Sequence, residues 1–171
     1  VGLFRKVPTD IVDKVVYLTQ GKLYPDFVGI ELGMAEKLVM RSIAEAAGVQ
    51  IKVVEDELKW MGDIGKAAEN ILSKPKAVSL LAFMGGEHKP EPLTVNKVYD
   101  TLERRARASR EAAQETKITL LSSLLKDSTP REARYILRTV TGKLRLGIAD
   151  MTILDALAIS FCGGKEARPL I

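Results

Sequence analysis

Apolar residues recur along this chain at three- and four-residue intervals, the spacing that lines one face of an α-helix. Ile11, Val12, Val15, Val16 and Leu18 share such a face in a segment opened by Pro8-Thr9-Asp10 and closed by Gly21. A loop is predicted from Lys22 to Gly33, because Pro25 and Gly29 interrupt any continuous helix there. A second helix is predicted from about Met34 to Ala47, with Met34, Leu38 and Ile43 inward and Gly48 at its C-terminal end. Ile51, Val54, Leu58 and Met61 mark a third. Gly62-Asp63-Ile64-Gly65 then breaks the pattern, with Asp63 placed to cap a short helix that stops before Pro75.

From Lys76 to Pro92 the periodicity fails, leaving an apolar patch from Val78 to Met84 and the run Gly85-Gly86-Glu87-His88-Lys89-Pro90, read as a connection between two halves. Thr94 caps the next helix, whose apolar set is Val95, Val98, Leu102 and Ala106, with Lys97, Arg104, Arg105, Arg107 and Arg110 on its other faces. Another runs roughly from Glu111 to Leu125 and buries Ile118, Leu121, Leu124 and Leu125. Thr129-Pro130-Arg131-Glu132 has the form of a capping box with proline at the first helical position. The helix it opens buries Ala133, Ile136, Leu137 and Val140. Asp150 is placed to cap a last helix with Ile153, Leu154, Leu157, Ala158 and Phe161 inward, ended by Gly163-Gly164. No stretch alternates with period two, so the expected class is all-α.

The chain also matches itself. Ile30-Glu31-Leu32-Gly33-Met34-Ala35-Glu36 aligns with Leu144-Arg145-Leu146-Gly147-Ile148-Ala149-Asp150 at an offset of 114 residues, and Gly21-Lys22-Leu23 aligns with Gly142-Lys143-Leu144 at an offset of 121. The offsets differ by seven because the first copy has the longer loop. Each copy reads helix, Gly-Lys-Leu, Leu-Gly, helix. A repeated hairpin predicts one domain of two pseudo-two-fold related halves, about 1–75 and 93–171 joined by 76–92, with both turns on one surface. Chance similarity between leucine-rich helices is the competing explanation. The copies differ at Glu31 against Arg145, which makes the second turn the more cationic.

Charge changes this picture only through its placement. Residues 1–86 carry 11 Lys/Arg and 11 Asp/Glu, whereas residues 87–171 carry 15 against 11, and the segment 97–145 alone has 12 against 6. That excess suits a polyanion on one face, as it also suits a merely solvated helical surface. No apolar run approaches the ~18 residues a membrane helix needs, and the first residues lack the order of a signal peptide, so an intracellular protein is expected. The absence of an initial methionine suggests a piece of a longer protein.

Candidate chemistry is sparse. His88, beside glycine and proline, reads as a solvated loop residue, and Cys162 between apolar neighbours as a buried thiol. Glu55-Asp56-Glu57 reads as a solvated helix face. No nucleophile and base pair, phosphate-binding Gly-Lys-Ser/Thr loop or metal cluster is apparent, so binding rather than catalysis is expected. The turn Gly142 to Gly147 is the best binding candidate. Its two glycines admit close backbone approach, N–H groups open the next helix, and Lys143 and Arg145 alternate with Leu144 and Leu146, which anchor the loop. Met61-Gly62-Asp63-Ile64-Gly65-Lys66 loosely matches a helix-hairpin-helix turn, with an ordinary N-cap at Asp63 as an equal reading.

Taken together, GKLRLGIADMTILDAL at 142–157, GIELGMAEK at 29–37, GDIGKAAE at 62–69 and LTVNKVYDTL at 93–102 resemble, in order and over nearly the whole chain, the N-terminal DNA-binding domain of ATP-dependent DNA ligases of the archaeal and eukaryotic replicative type. The resemblance implies an all-helical pseudo-two-fold domain that grips nicked duplex DNA across the minor groove, largely through phosphates. It places nick sealing with ATP and Mg²⁺, in replication, repair and recombination, on downstream adenylation and OB-fold domains that carry the nucleophilic lysine. A sliding clamp is a further implied partner, and the location is the cytoplasmic nucleoid in an archaeon or the nucleus in a eukaryote. The family's domain begins about one helix before Val1. Its contacting turn falls on Gly142, Lys143, Arg145, Gly147 and Ala149, and its GD-x-G turn on Gly62, Asp63 and Gly65. A helical protein-interaction module with no DNA affinity is the alternative from another class. A helix-hairpin-helix glycosylase would need a catalytic Asp or Lys near the hairpin together with base flipping; Asp63 or Asp150 could be nominated, and each is better explained as a helix cap.

Overall fold

The computed structural model describes residues 1–30, 32–74, 90–108, 112–144 and 146–171. The expected strand or helix at 78–84, His88, Glu31, Arg110 and Arg145 therefore lie outside the described residues. Among the described residues every regular element is helical: α1 (Val12–Gln20), α2 (Glu36–Ala47), α3 (Ile51–Met61), α4 (Ile64–Ser73), α5 (Val95–Arg107), α6 (Ala112–Asp127), α7 (Pro130–Val140) and α8 (Asp150–Phe161). Short 3₁₀ turns at Thr9–Ile11, Asp26–Val28 and Lys165–Leu170 fill the ends and the long loop. The class is all-α, as the periodicity predicts.

Most boundaries follow their local signals. Asp63 accepts from the Lys66 N–H at 2.8 Å and Thr94 from the Lys97 N–H at 3.1 Å. Thr129 and Glu132 close a full capping box around Pro130 at the first helical position. Gly21, Gly48 and Gly62 end α1, α2 and α3 in left-handed conformations that only glycine adopts freely. The last helix departs from expectation. Its N-cap is Ala149, without a side-chain cap, and Asp150 instead accepts from the Gln20 amide at 2.9 Å. Asp150 is already helical there, so its carboxylate points back at α1 and favours the helix dipole without capping.

The helices of the two halves interleave. The most extensive packings set α4 on α7 and α2 on α6, while α1 lies on α5, so each joins elements from opposite sides of the 76–92 connection. The main core is built on Val39, Ile43, Val54, Ile64, Leu121 and Leu137, all fully buried. A smaller cluster of Phe4, Val15 and Ile153 ties the N-terminal segment to α1 and α8. Phe161 is 46% exposed and Cys162 is exposed, against the inward positions expected for both. The Lys165–Leu170 turn packs back against α8, where Arg168 and Lys165 fasten it to Asp155.

A second correction concerns α5. Arg105, expected on its cationic outer face, is 2% exposed. It follows Leu102 by three positions and so shares the buried stripe. Its Nη2 donates to the Leu32 carbonyl, and Nε has no partner among the described residues. Burial pushes the guanidinium down to about 10, which still leaves it charged at neutral pH.

Helices α4 and α7 approach each other closely enough to exclude a side chain. A Cβ on Gly65 would lie 2.7 Å from the Arg134 carbonyl oxygen, a distance backbone atoms do not yield. Substituting Gly65→Ala is expected to force the two helices apart and cost about 1–3 kcal/mol, measured as a lower denaturant midpoint in urea unfolding followed by circular dichroism.

Candidate nucleic-acid interface

The two Gly-Lys-Leu turns adopt the same local geometry. In the first, Gly21 has φ 73° and the N–H groups of Gly21 and Lys22 donate to Leu18 and Tyr17 at 3.1 and 2.9 Å. In the second, Gly142 has φ 66° and the N–H groups of Gly142 and Lys143 donate to Thr139 and Arg138 at 3.1 and 2.8 Å. Both are helix terminations in which a left-handed residue turns the next N–H back onto the last carbonyls. Each hairpin also resumes alike. Ala35 and Ala149 precede α2 and α8, neither with a side-chain cap, and Leu38 and Thr152 donate to them at 2.9 Å. The N–H groups that open both helices are thus left without side-chain acceptors, the condition under which a helix start binds an anion.

The turns are also brought together. A Cβ built on Gly21 would make ordinary contact, at 3.7 Å, with the Cβ of Leu144. The Met34 N–H donates to the Val140 carbonyl at 3.2 Å. Lys143 of the second turn pairs with Glu36 at the start of α2, Nζ to Oε2 3.2 Å, both side chains half exposed. Lys22 of the first turn pairs with Asp26 at 2.7 Å. Its ammonium is raised by that hydrogen bond, against desolvation and with lesser help from the nearby charges of Asp26 and Asp150. Between the turns lies a depression of about 340 Å³ lined by Gly21, Lys22, Asp26, Gly29, Gly33 and Gly142 among others.

Of the residues singled out in sequence, Gly142, Lys143, Gly147 and Ala149 are all exposed, Gly142 lining the depression and Gly147 with φ 65°. Leu144 is half-buried beside Gly21 and Leu146 is 44% exposed, and both line an apolar groove rather than joining the core. The GD-x-G turn is arranged differently. Gly62 ends α3, Gly65 is buried against α7, and Asp63 both caps α4 and receives the Arg138 guanidinium at 3.0 and 3.4 Å. Arg138 links this turn to the basic one, since its carbonyl is the acceptor for Lys143. The glycosylase reading finds Asp63 committed to the cap and to Arg138, while Asp150, which does not cap α8, accepts from the Gln20 amide.

Intramolecular pairs consume much of the cationic excess between 97 and 145. Lys97 binds Asp127 at 2.9 Å and Glu91 at 3.0 Å, Arg107 binds Glu103 at 3.0 Å and Arg134 binds Glu69 at 3.0 Å. The acids that hold the turn lysines, Glu36 and Asp26, were not singled out in sequence. Lys22 and Asp26 are four apart, but the partner of Lys143 is 107 positions away and leaves no local signal. Among the described residues no three His, Cys, Asp or Glu side chains gather as metal ligands, and no helix is long and apolar enough to cross a membrane.

Burial pushes the Asp63 carboxyl up, but the Lys66 N–H, the Arg138 guanidinium and the Gly65 N–H more than offset it and hold it below the ordinary range. A carboxylate with a depressed folded-state pKa contributes stability above its unfolded pKa of about 4 and loses it as pH falls through the folded value. Asp63→Asn keeps a capping side chain and removes the charge, so it is expected to lower stability by about 1 kcal/mol at pH 7. The gap from wild type should close progressively below about pH 4, read from urea midpoints across pH.

Comparison with known proteins gives one consistent answer. The family described as DNA ligase N terminus matches residues 1–158. The chain is 57% identical over 171 residues to DNA ligase 2 of Thermofilum pendens, covering all of this chain and 28% of that protein. It is 48% identical over 170 residues to a DNA ligase of Acidianus ambivalens, covering 99% and 28%. With a DNA ligase of Nitrosopumilus maritimus it shares 44% over 171 residues, covering 100% and 28%. The chain therefore spans little more than a quarter of the length of these relatives.

Proposed function

We propose, from the premise that this chain belongs to the DNA ligase N-terminus family, that it grips nicked duplex DNA across the minor groove as the binding domain of an ATP-dependent ligase. The observation that carries the reading is the juxtaposition of two Gly-Lys-Leu turns with the uncapped starts of α2 and α8. Backbone N–H groups and one or two cationic side chains per turn suit phosphates, which repeat along a duplex and carry no sequence information. The matching turns and the cross-contacts of Lys143 with Glu36 and Gln20 with Asp150 support a pseudo-two-fold surface, the symmetry of the two backbones of a duplex.

In this reading Gly142, Lys143, Arg145, Gly147 and Ala149 form the principal contact and Arg145 adds a cation that the first turn lacks. Gly62, Asp63 and Gly65 act mainly by fixing α7 and with it the second turn. Adenylation and strand joining, with ATP and Mg²⁺, belong to further domains of the ligase, for which this domain supplies affinity and orientation. A sliding clamp is a further partner of the assembled enzyme. The archaeal relatives favour a cytoplasmic, nucleoid-associated location.

An apolar groove of about 300 Å³ between α1, α5 and α7, lined by Leu18, Val95, Val98, Tyr135, Ile136 and Leu146, is the feature that favours the protein-interaction reading. A salt titration separates the two. Fluorescence anisotropy on a nicked duplex should show binding that falls steeply with salt. Lys143→Ala/Arg145→Ala should weaken it roughly tenfold and flatten the logarithmic salt slope by about 1.8, near 0.9 for each phosphate no longer neutralised. Unchanged affinity and slope in the double variant removes the turn from the interface; no binding at low salt favours the protein-interaction module.

The Glu36 pairing yields a change of opposite sign. Glu36→Gln frees Lys143 of a surface ion pair worth a few tenths to about 1 kcal/mol. Duplex affinity is therefore expected to rise about two- to fivefold at low salt, and an unchanged or weaker affinity on the same assay would count against Lys143 as a phosphate contact.

A further inference from the structure

The two hairpins differ chiefly in seven residues, Tyr24 to Ile30, present in the first and missing from the second. That insertion is ordered by its own chemistry. Pro25 opens a 3₁₀ turn over Asp26–Val28, the Val28 and Gly29 N–H groups close it on Pro25 and Asp26 at 3.0 and 3.2 Å, and Gly29 ends it with φ 69°. Asp26 ties the turn to Lys22, and Tyr24 at its base is held by Glu103 and Arg107 of α5. The product of this fastening is an aromatic side chain in water. Phe27 is 89% exposed, the most exposed large hydrophobic residue among those described, and Val28 beside it is 40% exposed. Its neighbours Asp26 and Gly29 line the depression between the two Gly-Lys-Leu turns, so Phe27 stands at the rim of the proposed duplex-binding surface.

We propose that Phe27 is an apolar wedge that enters the minor groove and packs on sugar and base edges of the duplex. The inference rests on the duplex-binding reading above and adds to it a residue and a mode of contact that charge does not provide. Where the second hairpin has Arg145, the first has Glu31 and cannot add a comparable cation; the insertion supplies apolar contact in its place. Aromatic and aliphatic wedges enter minor grooves at steps that unstack cheaply, and a nick is such a step because one backbone is already broken. With nearly all of its surface in water, the ring can be removed without disturbing the fold.

The test compares wild type, Phe27→Ala, Phe27→Trp and Lys143→Ala/Arg145→Ala on nicked and intact duplexes, by anisotropy across a salt series and by fluorescence of 2-aminopurine placed beside the nick. Phe27→Ala is expected to bind about tenfold more weakly, in the range found for removing one base–aromatic stack. Its salt slope should be unchanged because the net charge is the same, and the 2-aminopurine signal seen with wild type should disappear. Phe27→Trp should restore both. An equal affinity and signal for Phe27→Ala, with the double lysine–arginine variant still weakened, overturns the wedge and leaves duplex binding intact. A Phe27→Ala effect that appears only as a changed salt slope also overturns it. Failure of wild type to bind either duplex at low salt overturns both.

Discussion

Fourteen residues lie between Gly21 and the start of α2 at Glu36, and a loop of that length next to a core leaves carbonyls that its own backbone does not satisfy. Helix α5 answers that constraint. Tyr99 donates its hydroxyl to the Leu23 carbonyl and Arg105 its guanidinium to the Leu32 carbonyl, so both ends of the loop are gripped from below while Leu23 and Leu32 are buried. Burial pushes the Tyr99 hydroxyl up to about 12 and keeps it a donor throughout the neutral range. These two bonds act together with the Met34–Val140 hydrogen bond and the Lys143–Glu36 and Gln20–Asp150 pairs to fix the first turn relative to the second. A guanidinium buried without a carboxylate among the described residues carries a large desolvation penalty for the sake of one carbonyl. That penalty is consistent with how much depends on the bond.

The second hairpin is held by different means. Its loop is short, and the turn follows directly from α7, which is set against α4 by the absence of a side chain at Gly65 and by the Asp63–Arg138 and Glu69–Arg134 pairs along the same interface. One turn is thus located by donors reaching up from beneath a long loop, and the other by a close helix crossing. Two turns of similar sequence and local geometry are held in place through unrelated contacts. Tertiary context differs even where the local turn geometry is the same.

What was legible in the sequence follows from the range of the interactions concerned. The capping box at Thr129, the caps at Thr94 and Asp63 and the glycine ends at Gly21, Gly48 and Gly62 are set by residues within four positions of one another, and they are found where the pattern puts them. The buried stripes of α6 and α7 were equally readable. Arg105 was misplaced because residue type outweighed position: its spacing from Leu102 put it on the buried stripe, and its charge argued otherwise. Asp150 does not cap because the helix starts one residue earlier than expected, with Ala149 at the N-cap, and the Gln20 amide its carboxylate accepts from lies 130 positions away. The tally of basic residues between 97 and 145 likewise overstated the cationic surface, since the acids that neutralise Lys97, Arg134, Arg138 and Lys143 come largely from elsewhere in the chain.

The bridge between Lys143 and Glu36 bears on departure as well as arrival. A phosphate that takes Lys143 displaces a carboxylate tethered to the same fold, and that carboxylate remains close by at a high effective concentration for as long as the complex lasts. Every transient loosening of the contact therefore gives the internal partner first access to the ammonium, ahead of a phosphate that must return by diffusion. In the proposed complex both turn lysines have such a rival, Glu36 for Lys143 and Asp26 for Lys22. For a domain proposed to hold DNA through one joining event and then leave, those two acids are internal competitors that favour release over prolonged residence.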